Sequence, residues 1–500
     1  MNVSVPSRID ALTSSYRSSF AWIVLAAGAI LRLQGLGRQS LWMDELYSVQ
    51  SSQSLADIWA FYQWDLHPPL YSLLLYGWIS AFGDSEFTVR LLSALLGIAT
   101  LLVIWILGKQ KFGATVALGF LGLMAFSQRA IYFSQEARSY ALLILLCTIL
   151  TILWLPKMTG KDSVSRTNPT VLAAISILTG WTHYYGTIFV FSIWALLLFF
   201  RLLRSAQGLL WQWFLAGAMV FVACVGEFVF HNRFIAQSEL PFHAELVTLW
   251  KDLPLFFFGT PFAIGAFLVL GVLLALWQWA LPRRRLEHRD TLSAMAWLLG
   301  LCLVVGAAAL LLNVFRNSFS ARNLLVLLPA ILLFPAMALG SLSGRFRSTW
   351  ATLVCIAAFS QFLASAPWYW RGDSKQQWRE ASLVAGQEAT DRSVVAAISN
   401  FDFQRSAIPA YDITGDAWGY YFQRSPLLDR LNVAGRIFQI SPDELPRLTE
   451  DAARLDRDKV IVVRAHASDP ANVAAIVEFL GRPSRHVRFV KSDVWIIDLK

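Results

Sequence analysis

Apolar segments of about twenty residues recur through residues 1–366 of the chain, and they restrict its fold more than any other feature. A helix needs about 20 mostly apolar residues to cross the hydrocarbon layer of a bilayer. Hydrophobic residues make up 56% of the sequence and charged residues 15%, with a mean hydropathy of +0.52, which excludes an ordinary soluble protein. We therefore predict an all-α polytopic membrane protein.

The apolar segments number about eleven when each is required to be long enough to cross. They lie near 18–36, 87–107, 113–131, 139–156, 169–182, 186–203, 209–230, 254–280, 291–312, 323–340 and 349–366. The region 169–203 is the least regular, because 182–186 interrupts its apolar pattern. We therefore predict that this region forms either two short spans or one span with a re-entrant segment.

The net charge of +9 reflects membrane orientation rather than a charged partner. Residues 367–500 contain 18 Lys and Arg and 18 Asp and Glu, so the whole excess lies in the membrane part. With a cytoplasmic N-terminus, 15 basic residues fall in inner segments and 7 in outer ones, as the positive-inside rule requires. This distribution predicts an inner N-terminus and an outer C-terminus, and it excludes nucleic acid as a partner.

The connection 37–86, predicted to be the first extracytoplasmic loop, is acidic although the protein is basic. A single basic residue, Arg38, accompanies six acids. The acids are Asp44, Glu45, Asp57, Asp65, Asp84 and Glu86. Segments 54–64 and 68–82 are shorter than a membrane-spanning helix requires, so we predict that they form helices at the membrane interface. Two prolines after His67 fix the backbone, so His67 is predicted to lie at a defined corner.

Other predicted outer connections also carry polar side chains, and ionisable groups at membrane depth tend to mark a site or pathway. Glu136 and Tyr140 stand four positions apart, so they share a face if this turn is helical, whereas Arg138 points elsewhere. Later outer connections contain His183, Tyr184, Tyr185 and Arg322. The acids of the first two loops, Asp44 and Glu136, are expected to converge on one outer cavity.

The tail of the chain differs in kind from the rest, because its charge density rises and its apolar runs become shorter. The short apolar runs are 394–398, 460–463 and 494–497, and helical patterns cover 376–388 and 471–480. We predict a transmembrane domain over 1–366 and a small extracytoplasmic α/β domain over 367–500.

Four motifs together resemble a known family. They read Ser40-Leu41-Trp42-Met43-Asp44-Glu45, His67-Pro68-Pro69-Leu70-Tyr71, Tyr132-Phe133-Ser134-Gln135-Glu136-Ala137-Arg138-Ser139-Tyr140 and His183-Tyr184-Tyr185-Gly186. Their order and topology are similar to those of the GT-C membrane glycosyltransferases. The nearest branch includes protein O-mannosyltransferases, the aminoarabinose transferases of lipid A and the lipopolysaccharide galacturonosyltransferases. The resemblance covers residues 20–340 approximately.

The resemblance implies a GT-C fold and transfer of a sugar from a polyprenyl-phosphate donor to an acceptor on the outer face of the cell membrane, usually with inversion at the anomeric carbon. A membrane-anchored donor needs no nucleotide-phosphate cradle, because the lipid phosphate is the leaving group. The acceptor hydroxyl must lose a proton as it attacks, which requires a carboxylate within reach. Charge that builds on the phosphate must be held by cations or hydrogen-bond donors.

By resemblance, Asp44 matches the first-loop acid of the family and is the candidate general base or, where a metal is used, its ligand. Glu136 resembles the second-loop acid and would help to hold the acceptor or the metal, the alternative being an ion pair with Arg138 or Arg129. Glu45 is either a site residue or a structural partner of its neighbour. A divalent cation, Mg²⁺ or Mn²⁺, held by Asp44 and Glu136 is compatible with these roles, but no cofactor is required.

The remaining candidates would bind the substrates. His67 stands where related transferases can carry Lys, a position that resembles a donor-phosphate contact; because His is only partly charged at neutral pH, an interfacial hydrogen bond is the alternative. Arg138 and Arg322 are suited to clamp phosphate in a bidentate way or to anchor helix ends at the head groups. The residues expected to line the sugar cavity, or to pack in an aromatic belt, are Tyr140, His183, Tyr184 and Tyr185.

Two other classes of function stay open. A flippase or transporter of lipid-linked sugars would also need many spans and an outer cavity, although the sequence shows no inverted repeats with paired broken helices. A non-catalytic partner in envelope assembly would not need both Asp44 and Glu136. The sequence does not identify the sugar, and it leaves a glycolipid, lipopolysaccharide or protein as the acceptor.

Overall fold

The computed structural model describes most of the chain in segments whose contacts form two units. It describes residues 8–63, 65–159, 168–203, 210–235, 289–315, 320–340, 346–371, 375–398, 420–421, 424–427, 437–439, 442–465 and 470–499, with Phe257 and Leu273 as single residues. The first unit takes the described parts of Met1–Gln34, Ser52–Gly83 and Val89–Pro367. The second takes those of Gly35–Ser51, Asp84–Thr88 and Trp368–Lys500.

Helices account for most of the described residues before 372. In chain order they are α1 (Arg8–Leu33), α2 (Met43–Gln50), α3 (Leu55–Tyr62), α4 (Leu70–Phe82), α5 (Glu86–Val103), α6 (Lys109–Phe112), α7 (Ala114–Ala125), α8 (Gln128–Ser134), α9 (Tyr140–Met158), α10 (Pro169–Gly180), α11 (Tyr184–Leu203), α12 (Leu210–Ile235), α13 (Arg289–Phe315), α14 (Leu328–Gly340), α15 (Phe346–Ser365) and α16 (Pro367–Arg371). A π-helical turn, Ile104–Gly108, joins α5 to α6, and a 3₁₀ turn, Ala321–Leu327, leads into α14.

Within the described residues, six helical segments are long and apolar enough to cross a membrane. They are Glu86–Phe112, Tyr140–Met158, Tyr184–Leu202, Trp211–Phe234, Arg289–Val314 and Ala321–Leu339. The pair α7 and α8 meets at a bend of 62° and adds a seventh span if it crosses as one. Shorter apolar helices cover Leu70–Phe82, Pro169–Gly180 and Thr349–Ser365. The prediction of a multi-pass, helical membrane protein is confirmed.

Ten of the eleven predicted apolar segments fall on described helices; six of them are long and apolar enough to span, 113–131 falls on the bent pair, and 169–182 and 349–366 fall on shorter apolar helices. The irregular region 169–203 forms two helices, α10 and α11, with the break at 181–183. The interfacial helices predicted over 54–64 and 68–82 correspond to α3 and α4. The predicted span 254–280 lies outside the described residues, apart from Phe257 and Leu273.

Local sequence explains where these short helices begin and end. Ser54 caps α3, since its hydroxyl oxygen accepts the backbone N–H of Asp57 at 3.0 Å. Gly83 ends α4 with a φ of +81°, a conformation that L side chains rarely adopt. Asn168 caps α10 through its side-chain oxygen, and Pro169 takes the first helical position, where a missing N–H costs nothing.

A buried arginine stabilises the bend between α7 and α8. The Arg32 guanidinium donates to the carbonyl oxygens of Met124 at 3.0 Å and Ala125 at 3.1 Å, and also to that of Gly28 at 2.9 Å. The last carbonyls of a helix lack partners within the helix. Arg32, which is 1% exposed, therefore supplies donors to the end of α7 at the point where the chain turns.

Close packing of α5 against α8 depends on Gly97. A methyl group at this position would lie 2.2 Å from Ser134 Oγ and 3.0 Å from Arg32 Cδ. We expect Gly97→Ala to destabilise the protein by about 1–3 kcal/mol, the usual cost of overpacking, measured by thermal unfolding in detergent. Gly77→Ala in α4 is the matched control, because no described atom outside its chain neighbours and the local helix backbone lies within 4 Å of the added methyl there. Equal stability of the two variants would contradict this packing.

A mixed five-stranded sheet forms the centre of the second unit. Its strands are β1 (Val394–Ile398), β2 (Ile437–Gln439), β3 (Lys459–Ala465), β4 (Ser484–Phe489) and β5 (Ser492–Asp498), and its helices include α17 (Trp378–Glu388), α18 (Leu445–Arg454) and α19 (Pro470–Phe479). The spatial order is β2-β1-β3-β5-β4, in which β1 pairs in parallel with β2 and β3, and β5 is antiparallel to β3 and β4.

One face of this sheet carries the core of the second unit. Val462 of β3 and Trp495 of β5 pack with Leu445 of α18 and Val473 and Val477 of α19. The central strands are buried on both faces, which is why their sequences are continuous apolar runs rather than alternating ones. The predicted α/β fold of the tail is confirmed.

Candidate functional site

Asp44 and Glu45 lie in the first turn of α2, in the second unit. Glu45 is fully buried, and its Oε2 accepts the backbone N–H of Trp42 at 3.2 Å and the ammonium group of Lys375 at 2.9 Å. Asp44 is partly exposed. Glu45 therefore has the contacts of a structural partner, while Asp44 keeps access to solvent.

The tail of the chain fixes the residues that precede Asp44. Ser40 donates its hydroxyl to Glu380 Oε2 at 2.7 Å and accepts the backbone N–H of Arg379 at 3.2 Å. The backbone N–H of Met43 donates to Gln376 Oε1 at 3.2 Å. All of these residues belong to the second unit. Side chains about 330 residues later in the sequence thus position the segment that bears the candidate base.

Glu86, the last acid of the first loop, completes this arrangement within the second unit. Its carboxylate pairs with the Arg379 guanidinium and accepts the Tyr421 hydroxyl at 2.8 Å. The same hydroxyl oxygen accepts the backbone N–H of Leu41 at 2.6 Å. Burial, reinforced by the charge of Glu86, raises the pKa of Tyr421 well above its ordinary value, so the phenol keeps the proton that it donates.

In the first unit, Asp65 and His67 form a close pair beside His183. His67 Nδ1 lies 2.8 Å from Asp65 Oδ1, which also accepts the backbone N–H of Leu66 at 2.6 Å. The rings of His67 and His183 meet edge to face, with centroids 5.1 Å apart. Burial alone would raise the pKa of Asp65, but His67, Arg138 and the Leu66 N–H hold it below its ordinary value. Asp65 is therefore a carboxylate that keeps His67 in place.

Arg138 and Tyr140 belong to the same neighbourhood. Arg138 is 9% exposed, and its charge acts on both Asp65 and His183. The Tyr140 ring lies 5.9 Å from that of His183. The structure thus brings together four of the predicted site residues: His67, Arg138, Tyr140 and His183.

His183 is held in its neutral form. Its Nδ1 accepts the backbone N–H of Tyr185 at 3.1 Å, so the ring proton is assigned to Nε2. Burial, with the positive charges of His67 and Arg138, lowers the pKa of His183 well below its ordinary value, and Asp65 offsets part of this effect. The imidazole is therefore an uncharged hydrogen-bond donor beside the Arg138 cation.

This lowered pKa predicts a loss of stability in mild acid. The unfolded chain protonates this histidine below about pH 6.5, whereas the folded chain does not, so stability falls as pH drops below that value. Between pH 7.5 and 5.5 we expect His183 to account for a loss of about 1.4 kcal/mol. Thermal unfolding of wild type and His183→Gln at both pH values measures it. The same pH dependence in the two proteins would contradict a neutral, buried His183.

A second group of charges includes Glu136, which is 1% exposed. Arg129 of α8 is attracted to Glu136 and repelled by Arg322, so the three charges interact. Ser320 caps the 3₁₀ turn that carries Arg322, because its hydroxyl oxygen accepts the Arg322 backbone N–H at 3.2 Å. Two arginines with one acid leave an excess of positive charge, which favours an anion such as phosphate. The sequence singled out Arg322 as a phosphate clamp, whereas Arg129 was predicted only as an ion-pair partner of Glu136.

Tyr184 lies in a separate polar network that the sequence did not predict. Its hydroxyl lies 3.3 Å from Glu227 Oε1 and contacts His231 Nδ1. The Tyr62 hydroxyl donates to the same Glu227 oxygen at 3.1 Å. Glu227 is hidden in the sequence because α12 is otherwise largely apolar, whereas His231 was expected in an outer connection as part of the polar run 231–233. The available signal was their spacing of four residues, which places an acid and a histidine on one helix face.

Within the described ranges, no three His, Cys, Asp or Glu side chains are grouped so that they could hold a metal ion. Asp44 belongs to the second unit and Glu136 to the first. Their convergence on one cavity, and a divalent cation shared between them, stay predictions.

No known family model matches the chain, and no curated protein matches it. Among solved structures, ArnT from Cupriavidus metallidurans in the apo state has a TM-score of 0.61 at 13% identity, over 96% of this chain and 98% of that chain. The same protein bound to undecaprenyl phosphate has a TM-score of 0.53 at 14% identity, with the same coverage.

An oligosaccharyltransferase from Archaeoglobus fulgidus, in complex with zinc and sulfate, has a TM-score of 0.46 at 14% identity, over 88% of this chain and 67% of that chain. This similarity is too weak to bear on the fold. The match to ArnT, an aminoarabinose transferase of the GT-C class, extends over nearly the full length of both chains. The chain therefore has the GT-C fold, as predicted.

Proposed function

We propose that this protein is a glycosyltransferase that moves a sugar from a polyprenyl-phosphate donor to an acceptor at the outer face of the cell membrane. The observation that carries the proposal is the fold shared with ArnT over almost the whole of both chains. ArnT has been solved with undecaprenyl phosphate bound, and a lipid-linked donor suits a multi-pass membrane protein. Because one fold can support several activities, the assignment also rests on the chemistry of the residues described above.

We place residues 1–366 in the membrane, with the N-terminus in the cytoplasm, and residues 367–500 on the outer side. The excess of basic residues in the predicted inner segments supports this orientation. The first loop, 37–86, and the second, which carries Glu136, then lie on the outer side. The site would work outside the cytoplasm, where a membrane-anchored donor replaces a nucleotide sugar.

Asp44 is the proposed general base. The acceptor oxygen forms a bond to the anomeric carbon, the bond from that carbon to the phosphate oxygen breaks, and the acceptor proton passes to the Asp44 carboxylate. A single displacement of this kind inverts the anomeric carbon. Polyprenyl phosphate leaves with the electron pair of the broken bond. The exposure of Asp44, in contrast to the buried Glu45, supports this choice between the two neighbouring acids.

Cations in the first unit would hold the leaving phosphate. Arg138 has a planar guanidinium suited to two parallel hydrogen bonds with phosphate oxygens. Neutral His183 can donate a hydrogen bond from Nε2, and His67, whose Nδ1 hydrogen goes to Asp65, can donate from Nε2 when its ring is protonated. Donors placed in advance stabilise charge as it develops in the transition state.

Glu136, with Arg129 and Arg322, would bind the second substrate or its anionic substituents. The two arginines supply positive charge, and Glu136 can accept a hydrogen bond from an acceptor hydroxyl. Hydroxyl groups on a glycolipid, a lipopolysaccharide or a protein all meet this requirement. If a divalent cation is used, Asp44 and Glu136 are the proposed ligands.

The test uses purified protein in vesicles with radiolabelled polyprenyl-phosphate sugars and an envelope extract. We expect the label to enter an acceptor and unlabelled polyprenyl phosphate to appear in equal amount. Label that crosses the bilayer while still attached to the lipid would instead identify a transporter of lipid-linked sugars. Donor that is bound without turnover over the full range of acceptors would point to a non-catalytic partner.

A further inference from the structure

A groove in the first unit combines aromatic walls with one carboxylate, Glu227. Its volume is about 380 Å³. Leu55, Ile58, Trp59, Tyr62, Pro69, Leu73, Trp181, Glu227 and Phe230 line it. All of them belong to the first unit, on α3, α4, α12 and the segments beside α4 and α10.

The Glu227 side chain is 7% exposed and borders the groove. Both tyrosine contacts, from Tyr62 and Tyr184, go to Oε1. Oε2 makes no hydrogen bond with any residue that the structure describes. A buried carboxylate is stable only when its charge is compensated, so Oε2 favours a ligand that donates a hydrogen bond and carries positive charge.

His231 supports Glu227 without needing a charge of its own. Its Nε2 lies 2.6 Å from the carbonyl oxygen of Tyr62, which can only accept, so Nε2 carries the proton. Nδ1 is then free to accept the Tyr184 hydroxyl in the neutral ring. The His231 ring also stacks on Tyr62 with centroids 3.9 Å apart, which fixes that tyrosine against the groove.

The walls of the groove suit a cation on an apolar molecule. Trp59, Tyr62, Trp181 and Phe230 present aromatic rings, and aromatic faces attract ammonium groups through their negative π-surfaces. Several of these walls are open to the outside of the protein, since Trp59 is 50% exposed and Phe230 is 43% exposed. An aromatic lining with one carboxylate is the combination that recognises an ammonium group.

The groove opens where membrane lipid would lie. It borders the candidate span Trp211–Phe234. Only 22% of the most apolar part of this span is buried inside the protein. Glu227 lies one turn, or about 6 Å, before His231, Asn232 and Arg233, the first polar run at that end of α12. This depth is close to the head-group layer, where the ammonium group of a lipid is found.

We propose that this groove binds a membrane lipid with a primary ammonium head group, such as phosphatidylethanolamine. The ammonium group donates to Glu227 Oε2 and lies among the aromatic rings, and the acyl chains cover Leu55 and Leu73. Binding of this lipid requires neither the sugar donor nor its acceptor.

The test measures retained lipid by native mass spectrometry. Wild-type protein and Glu227→Gln are exchanged into mixed micelles with equal amounts of phosphatidylethanolamine, phosphatidylcholine and phosphatidylglycerol. We expect wild type to retain phosphatidylethanolamine in preference to both others, and Glu227→Gln to lose about tenfold in that preference. Asp57→Asn is the matched control, because Asp57 is an acid of α3 that does not line the groove, and it should behave as wild type.

A second variant and the lipid preference of wild type also test the proposal. Leu73→Trp fills the groove and leaves the Glu227 network intact, so it should also reduce phosphatidylethanolamine retention, even if Glu227→Gln folds poorly. Equal retention of the three lipids by wild type would overturn the proposal. Equal retention of phosphatidylcholine and phosphatidylethanolamine would overturn it too, because only phosphatidylethanolamine has ammonium hydrogens to donate. Preferential retention of polyprenyl phosphate that is lost in Leu73→Trp would overturn it as well and assign the groove to the donor.

Discussion

Asp44→Asn is expected to reduce the rate of sugar transfer at least a hundredfold, about the lower limit for loss of a general base. Asparagine keeps the size of the side chain and its place in the first turn of α2, but it cannot accept the acceptor proton. Binding of the donor should not change, because the cations that would hold its phosphate are in the first unit. Initial rates with saturating donor, together with donor binding at equilibrium, separate the two effects.

The matched control for this experiment is Asp57→Asn. Asp57 is also a partly exposed acid of the first loop, but its carboxylate bonds to Ser54 at the start of α3. Its replacement should leave the transfer rate within about twofold of wild type, because surface substitutions usually change the free energy of unfolding by less than about 0.5 kcal/mol. Full activity in Asp44→Asn would remove Asp44 as the base, and an equal loss in both variants would point to a general effect of loop charge.

Lys375→Met is expected to destabilise the protein by about 3–5 kcal/mol, because it removes the cation that pairs with the buried Glu45 carboxylate at 2.9 Å. Glu45 is fully buried and the Lys375 side chain is 10% exposed, so water cannot replace the missing partner. Unfolding in detergent, monitored by the fluorescence of the tryptophans, measures the loss. Limited proteolysis within 35–51 should become faster, since this segment depends on the tail for its structure.

The double variant Lys375→Met with Glu45→Gln provides the control. It also removes the carboxylate charge, and a neutral glutamine can still accept the Trp42 backbone N–H. The double variant should therefore recover more than half of the stability lost in the single variant, in a cycle that isolates the pair. A double variant as unstable as Lys375→Met alone would show that the ammonium group acts through packing rather than charge.

Much of the fold was predictable because membrane helices and central strands leave strong patterns in sequence. The apolar segments of about twenty residues predict the long helices, and the runs at 394–398, 460–463 and 494–497 predict three of the five strands. The edge strand β4 was not predicted. It is mostly exposed and rich in arginine, so it lacks the apolar run that marks its neighbours.

The candidate site was less predictable, because its contacts join residues far apart in the chain. The neighbourhood of His67, Arg138 and His183 was found through motifs, each of which lies in a predicted outer connection. The partner of Glu45 was not found, since Lys375 is one of many basic residues in a tail without motifs. Glu227 was missed for another reason: a single acid near the end of a long apolar segment has no local pattern of its own.

The dependence of the first loop on the tail has a consequence for biosynthesis. Ribosomes add about 5–20 residues per second, so roughly 15–70 s pass between synthesis of Glu45 and of Lys375. During that time the segment that bears Asp44 is already made but lacks Lys375, Gln376 and Arg379, the side chains that hold it. The segment that bears Asp44 would therefore reach its final structure only after the tail has been made, and a chain released early would contain every motif of the first loop without the side chains that hold them in place.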